Sequence, residues 1–250
     1  MKFYVINLDR SPQRLESIRK NFERFGLDFL RIPAVDGAAL SDEKIAAVYD
    51  PGRNRRRFFT QLKRGEIACF MSHRSAWQRL LESSDDYAIV MEDDMEWLAD
   101  PSQIIRDLDP VMNHPEGRIV KLFCKRSVGE APANDRPIGV LEQPVVVPLG
   151  MVAYAINRAG AERLLKATVR FWEPVDVAVQ RWWDTEVRVF TCKPSLVREI
   201  SASLGGSTLH RTQKEPALGK ILRELRRPLF RLGRSIESHA RFAWTRLCPR

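Results

Sequence analysis

No stretch of this 250-residue chain reaches the roughly eighteen consecutive apolar residues that a bilayer-spanning helix needs. The longest apolar run, residues 144–156, contains Pro144, Pro148 and Gly150. Cysteine is scarce as well. Cys69, Cys124, Cys192 and Cys248 lie far apart without metal-ligand spacing, and read as reduced thiols rather than a disulfide framework. The opening residues 1–7 have too short an apolar core for a secretory signal. Together these absences predict a cytoplasmic protein. No internal repeat is visible either. What is left is ordinary globular composition, 44% hydrophobic and 29% charged, in a length that buries one substantial core with room for an appendage.

Acidic residues are short at one end only. Over residues 211–250, eleven Lys/Arg face three Glu, a balance of +8 out of the chain's net +9. The basic character belongs to that tail, and so does whatever it is for. Here Leu218, Leu222, Leu225, Leu229, Leu232, Ile236, Ala243 and Leu247 recur at helical spacing with arginines between them, which predicts a basic amphipathic helix broken or kinked at Pro228. Such a helix suits an anionic membrane surface, with Phe242 and Trp244 at the headgroup boundary. A nucleic-acid arm would need stacking aromatics and a recognition fold, and neither is present.

Residues 1–210 alternate strand-like and helix-like segments, the pattern of an α/β domain. Residues 2–8 read as a strand, and Ser11 with Pro12 opens a helix that Gly26 ends. Strands follow at 29–32 and 87–91, around a Pro/Gly/Arg-rich loop at 50–57 and a long amphipathic helix at 65–81. After Pro101 come a helix, a strand at 118–123 and a loop at 127–143, long enough for a lid or acceptor-binding role. Residues 144–147, 151–156, 187–190 and 196–200 read as strands, and 159–167 and 175–183 as helices.

The apolar run at 87–91 passes directly into Glu92, Asp93 and Asp94. Three carboxylates at the carboxyl end of a buried strand sit where open α/β sheets bind ligands. They repel one another, so a positive partner is called for, and a hard divalent cation holding a phosphate supplies one. An acidic turn that stays in water is the plainer alternative.

Five separated blocks, in order, together resemble glycosyltransferase family 25. They are Val5-Ile6-Asn7-Leu8-Asp9-Arg10 with Arg14, then residues 65–73 (Gly-Glu-Ile-Ala-Cys-Phe-Met-Ser-His), then Val90-Met91-Glu92-Asp93-Asp94. The last two are residues 150–156 with Ala159-Gly160-Ala161, and Pro174-Val175-Asp176. The resemblance implies a single GT-A-like, Rossmann-like α/β domain with a mixed sheet over 1–210. It further implies a UDP-sugar donor, UDP-galactose in many members, a lipopolysaccharide-type glycan acceptor, inversion at the anomeric carbon, and a divalent metal, Mn²⁺ with Mg²⁺ as the alternative. Asp94 is then the metal ligand, with Glu92 or Asp93 assisting, and His210 a candidate to complete the shell. Asn7, Asp9, Arg10, Ser72, His73, Glu92 and Asp93 are the donor-binding candidates. Arg14 reads as a solvated helix-start charge, and His73 equally as a packed core residue.

An inverting transfer needs a base for the acceptor hydroxyl. Asp176 is the candidate and Glu173 its rival, while Asp176 could instead cap the helix after Pro174. Trp172, Trp182 and Trp183 are candidates to stack on sugar rings. A metal-dependent phosphohydrolase and a catalytically silent nucleotide-sugar-binding module are the competing functional classes.

Overall fold

The computed structural model describes residues 1–98, 100–124, 140–206 and 217–247. Its strands are β1 (Lys2–Asn7), β2 (Leu30–Pro33), β3 (Tyr87–Glu92), β4 (Met95–Trp97), β5 (Gly117–Lys121), β6 (Val140–Glu142), β7 (Ala153–Asn157), β8 (Val187–Lys193) and β9 (Val197–Glu199). The helices are α1 (Pro12–Glu23), α2 (Asp42–Val48), α3 (Pro51–Arg57), α4 (Arg64–Glu82) and α5 (Pro101–Met112). They continue with α6 (Arg158–Ala167), α7 (Val175–Gln180), α8 (Trp182–Thr185) and α9 (Ala217–Leu247).

Seven strands form one sheet in the order β2-β1-β3-β7-β5-β8-β6. β1 pairs in parallel with both β2 and β3, and β5 with β8, while β7 and β6 run antiparallel to their neighbours. This is the α/β class with a mixed sheet. The chain leaves β1 on one side to reach β2 and returns past it to β3 on the other. A crevice therefore opens where the carboxyl ends of β1 and β3 part. Asn7 stands at one lip and Glu92 at the other.

Both faces of the sheet are covered, which is why β1, β3 and β7 are apolar almost without interruption. Tyr4, Val90 and Tyr154 point to a core shared with Phe70, Trp77 and Leu80 of α4 and with Leu164 of α6. Val5, Ile89, Met91 and Ala155 point the other way, onto Ile18 and Phe22 of α1 and Leu108 and Met112 of α5. A small second sheet, β4 with β9, lies just past the acidic turn.

Four expectations need correction. Residues 50–57 are not a loop: Asp50 accepts from the Arg53 amide at 2.8 Å, Pro51 starts α3, and three arginines finish it at the negative end of the helix dipole. Residues 144–147 form no strand, and two of their carbonyls are taken by side chains instead. Ser238 Oγ donates to Val145 O, Gln180 Nε2 to Val147 O at 2.6 Å, and Lys121 Nζ to the neighbouring Pro148 O. The helix read at 175–183 is split into α7 and α8 at Arg181, whose guanidinium turns back to Glu173. Finally, α9 runs through Pro228 as one helix. Most of the loop read at 127–143, and His210, lie outside the described residues; the end of that loop is β6.

The tail helix keeps its apolar stripe outward and lays part of its other face on the domain. Phe230, Arg234 and Ser238 face the domain, and Phe230 packs against Phe58 and Phe59 with ring centroids 5.1 and 5.4 Å apart. Leu225, Leu229, Leu232 and Ile236 face outward, Leu229 at 70% exposure. Glu173, only 1% exposed, fixes the attachment by accepting from Arg234 at 3.0 Å and from Arg181.

Candidate active site

The acidic turn is clamped from three directions. Asn7, at the end of β1, donates to Asp93 at 2.7 Å while its own Oδ1 accepts from Arg31 at 3.0 Å. Arg14, in the first turn of α1, donates to Asp93 at 2.9 Å and to Asp94 at 3.2 Å, and its other nitrogen reaches Gly206 O at 2.7 Å. Just past β9, the Ile200 amide donates to the Asp94 carbonyl at 2.7 Å. Arg14 is therefore not a solvated charge. It is buried against the two aspartates, because three acids packed at a sheet edge need a cation nearer than solvent.

Its charge does not satisfy the whole turn. Burial, and then the Glu92 charge, push the Asp94 carboxyl up to about 7 despite Arg14. Burial raises Asp93 as well, against the pull of Asn7 and Arg14. Among the described residues, Asp94 Oδ1 is buried with no hydrogen-bond donor. An orphaned, acceptor-only oxygen beside a second carboxylate is a donor set that fits a hard divalent cation. A second cluster lies close by: the ligand atoms of Cys69, His73 and Glu92 all fall within 4.8 Å of one another. Burial and the surrounding acids hold the Cys69 thiol well above its usual range, so it stays protonated and a poor ligand. The oxygen-only end at Asp94 suits Mn²⁺ or Mg²⁺ better than this softer set does.

His73 is both a core residue and a site residue. Its Nδ1 lies 3.0 Å from the Tyr154 hydroxyl and its Nε2 3.4 Å from Glu92 Oε1. Trp77 Nε1 donates to the same hydroxyl at 2.8 Å, which leaves the Tyr154 proton free to reach His73 Nδ1, an arrangement in which Nε2 carries the ring proton toward Glu92. This line runs from the core on α4 and β7 to the lip of the crevice. Tyr154→Phe strands the buried Trp77 and His73 nitrogens. It is expected to cost about 1–3 kcal/mol of unfolding free energy, read by urea denaturation.

Two cavities meet here. The smaller, about 100 Å³, is lined by Arg10, Arg14, Ser72, His73, Asp93 and Asp94. The larger, about 870 Å³, is lined by Asp176 and Glu199, by loop residues 146–152 and by the inward face of α9. Cys69 and Glu92 line both. Asp176 is the second residue of α7, while Pro174 occupies the cap position. Its two oxygens accept from the Gly150 amide at 3.0 Å and the Val177 amide at 2.9 Å. Gly150 offers that amide from a left-handed φ of +89°, which a side chain would strain. Ser72 bridges Ala68 O and the Val35 amide, tying α4 to the loop after β2.

Other candidates are less central. Asp9 lines neither cavity; its side chain is 82% exposed and pairs with Arg31. Arg10 lines the small cavity while paired with Asp36 at 2.8 Å. Glu173 lines neither, being spent on Arg181 and Arg234. No tryptophan lines the large cavity; Trp172 sits between Arg53 and Arg181, and Trp182 packs on Trp183. The aromatic lining is instead Phe58, Phe59, Phe123 and Phe230.

Comparison with known proteins bears on this arrangement. The sequence profile of glycosyltransferase family 25 (LPS biosynthesis protein) matches residues 1–179. The chain belongs to glycosyltransferase family 25. Its family-25 segment takes in Asn7, Arg14, His73, the acidic turn and Asp176, and leaves out β8, β9 and α9. A glycosyltransferase 25 family member of Aedes aegypti is 37% identical over 95 residues, covering 37% of this chain and 16% of that protein. Procollagen galactosyltransferase 2 of Mus musculus is 25% identical over 173 residues, covering 66% of this chain and 27% of that protein. The family-25 chain thus spans less than a third of the length of either relative. Among solved structures, S. aureus TarS 1–349 matches with a TM-score of 0.42 at 11% identity, covering 82% of this chain and 62% of that one, too slight a likeness to align residues.

Sequence reading gave no role to Tyr154 or to the arginines of α9. Tyr154 stands in one of the resemblance blocks, but its task shows only when Trp77 and His73 are brought to it. The arginines looked like a solvent or membrane face until the helix was seen to fold back.

Proposed function

We propose that this family-25 chain transfers a hexose from a UDP-sugar to a glycan hydroxyl, with inversion and with a divalent cation. The observation that carries the proposal is that Glu92, in the acidic turn, and Asp176 line one 870 Å³ cavity at the crevice of the sheet. That arrangement offers a donor end and an acceptor end within one space. The mouse relative's name supports galactose as the sugar, and the family's description supports a lipopolysaccharide-type acceptor.

In this reading the acceptor hydroxyl oxygen attacks the anomeric carbon while Asp176 takes its proton. The bond from that carbon to the diphosphate oxygen breaks, and UDP leaves. Two backbone amides hold the Asp176 carboxylate in one orientation, which serves a proton acceptor that must face its substrate. Asp94, with Glu92 assisting, would hold a cation that offsets negative charge on the departing diphosphate. Asn7 and Arg14 set the turn that carries them, and Ser72 and His73 form the wall of the donor end.

The test is thermal shift with a panel of UDP-sugars, with and without Mn²⁺, followed by UDP release in the presence of glycan acceptors. Metal-dependent stabilisation by one UDP-sugar is expected. Release of free phosphate with no transfer would favour a phosphohydrolase, and binding without turnover a silent module. Asp176→Asn is expected to lower kcat by about 10²–10⁴ with little change in UDP-sugar affinity. Parent-like turnover would discard Asp176 as the base.

The outward stripe of α9 supports attachment to the inner face of the cell membrane, beside a lipid-linked acceptor. Leu225, Leu229, Leu232 and Ile236 form an exposed apolar row, and no helix among the described residues is long and apolar enough to cross a membrane. Cosedimentation with phosphatidylglycerol vesicles is expected for the parent and not for Leu229→Asp/Leu232→Asp. Equal binding of both would remove the stripe from that role.

A further inference from the structure

Four arginines of α9 turn toward the large cavity, away from the exposed leucine row. Arg223, Arg227, Arg231 and Arg234 follow one another at intervals of four, four and three residues, and all four line the 870 Å³ cavity. Arg234 is nine-tenths buried. Its Nη2 donates to Glu173 at 3.0 Å, while its Nη1 is buried with no partner among the described residues. Arg231 makes no ion pair among the described residues. Arg227 reaches, among the described residues, only Glu224 of its own helix, at 4.0 Å. Guanidiniums stacked on one helix face repel one another, and Asp176 in the same cavity is already occupied by the Gly150 and Val177 amides.

Beside them the same cavity presents an apolar surface. Phe58, Phe59 and Phe230 cluster with centroids 4.4 to 5.4 Å apart and all line the space. Aromatic faces suit the apolar side of a pyranose, and a guanidinium fork suits the two oxygens of a phosphate or carboxylate. We infer that the inward face of α9 is the acceptor subsite and that the acceptor is an anionic saccharide, carrying a phosphate or carboxylate that the arginines bind.

This rests on the transferase reading for the identity of the two ends. The cavity at the β1/β3 crevice, lined by the acidic turn, takes the donor, and no α9 residue lines it. The arginines line only the larger cavity, with the base Asp176. α9 lies beyond residues 1–179, the segment that the family profile matches, so anion selection would belong to this helix and not to that segment.

The experiment measures binding of glucose 6-phosphate, glucose and UDP to the full chain by calorimetry. Arg227→Ala/Arg231→Ala removes two exposed arginines of the wall. Arg19→Ala/Arg241→Ala removes the same charge at exposed positions that line neither cavity. The parent and the control pair are expected to bind glucose 6-phosphate about tenfold more tightly than glucose, and the wall variant to lose that preference. UDP affinity should stay within about twofold in all three. A wall variant that loses UDP but keeps the phosphosugar would show that the arginines serve the donor diphosphate, overturning the acceptor assignment. A preference absent from the parent, or equal in all three chains, would overturn the anion site itself. A parent that prefers the phosphosugar but does not bind UDP would support the anion wall and sink the transferase reading instead.

Discussion

Asp94→Asn should reduce sugar transfer by about a thousandfold or more while leaving a folded chain at least as stable as the parent. The two halves have separate causes. Activity falls because Asp94 Oδ1, among the described residues, is the one carboxylate oxygen in the acidic turn that is buried with no donor, the position where a cation offsetting the leaving diphosphate would bind. Stability holds because this carboxyl is costly to bury. With its pKa raised to about 7, the folded state disfavours the ionised form, so above that pH the parent carries a penalty that an amide does not. Arg14 keeps its bonds to Asp93 and to Gly206 O in the variant. UDP release gives the first quantity and a thermal melt at pH 8 the second. Parent-like turnover would remove Asp94 from the chemistry. A collapse of the melting temperature would show that the turn is structural.

Glu173→Ala should be the most damaging single change to stability, at about 3–5 kcal/mol by urea denaturation. Glu173 is buried between Arg181 and Arg234, and truncating it leaves two guanidiniums without their shared carboxylate. Burial raises this carboxyl even against two cations, so the cluster is expensive to bury in the first place. Removing one cation as well should therefore recover part of the loss, and Glu173→Ala/Arg234→Met is expected to be more stable than Glu173→Ala alone. Proteolysis should also cut α9 faster in the single variant, since Arg234 is its buried anchor. If Glu173→Ala melts with the parent, the helix is held mainly by Phe230 on Phe58 and Phe59.

The alternation of elements and most of the central sheet could be read from the chain, because strands buried on both faces write themselves as apolar runs. Residues 2–8, 87–91 and 151–156 are such runs, and they became β1, β3 and β7. Where the reading failed, the deciding bonds came from distant residues. Residues 144–147 have a strand's composition, yet Ser238 and Gln180, both far along the chain, take up two of their carbonyls. Arg181 broke a helix because Glu173 lay behind it. Asp50 and Pro51 gave a local start signal for α3 that the arginine-rich composition obscured.

The site divides in the same way. Residue types at a strand end were enough to mark residues 92–94 and to place them at a ligand-binding edge. They could not say that Arg14, at the start of α1, would be the cation between two of the aspartates, since its neighbours in sequence are those of a solvated helix start. The Pro-x-Asp match ranked Asp176 ahead of Glu173, three residues earlier. Packing then gives the two different surroundings, with Glu173 spent on two arginines and Asp176 on the cavity.

By itself the sequence determined the class of fold, the family and the acidic turn, because those depend on periodicity and on residues adjacent along the chain. The tertiary structure alone decided which way α9 faces. A helix with one apolar side and one basic side fits a membrane or a domain equally well. The choice falls to whichever buried partner waits for it, and here Glu173 and the phenylalanines turn the arginines inward over the cavity.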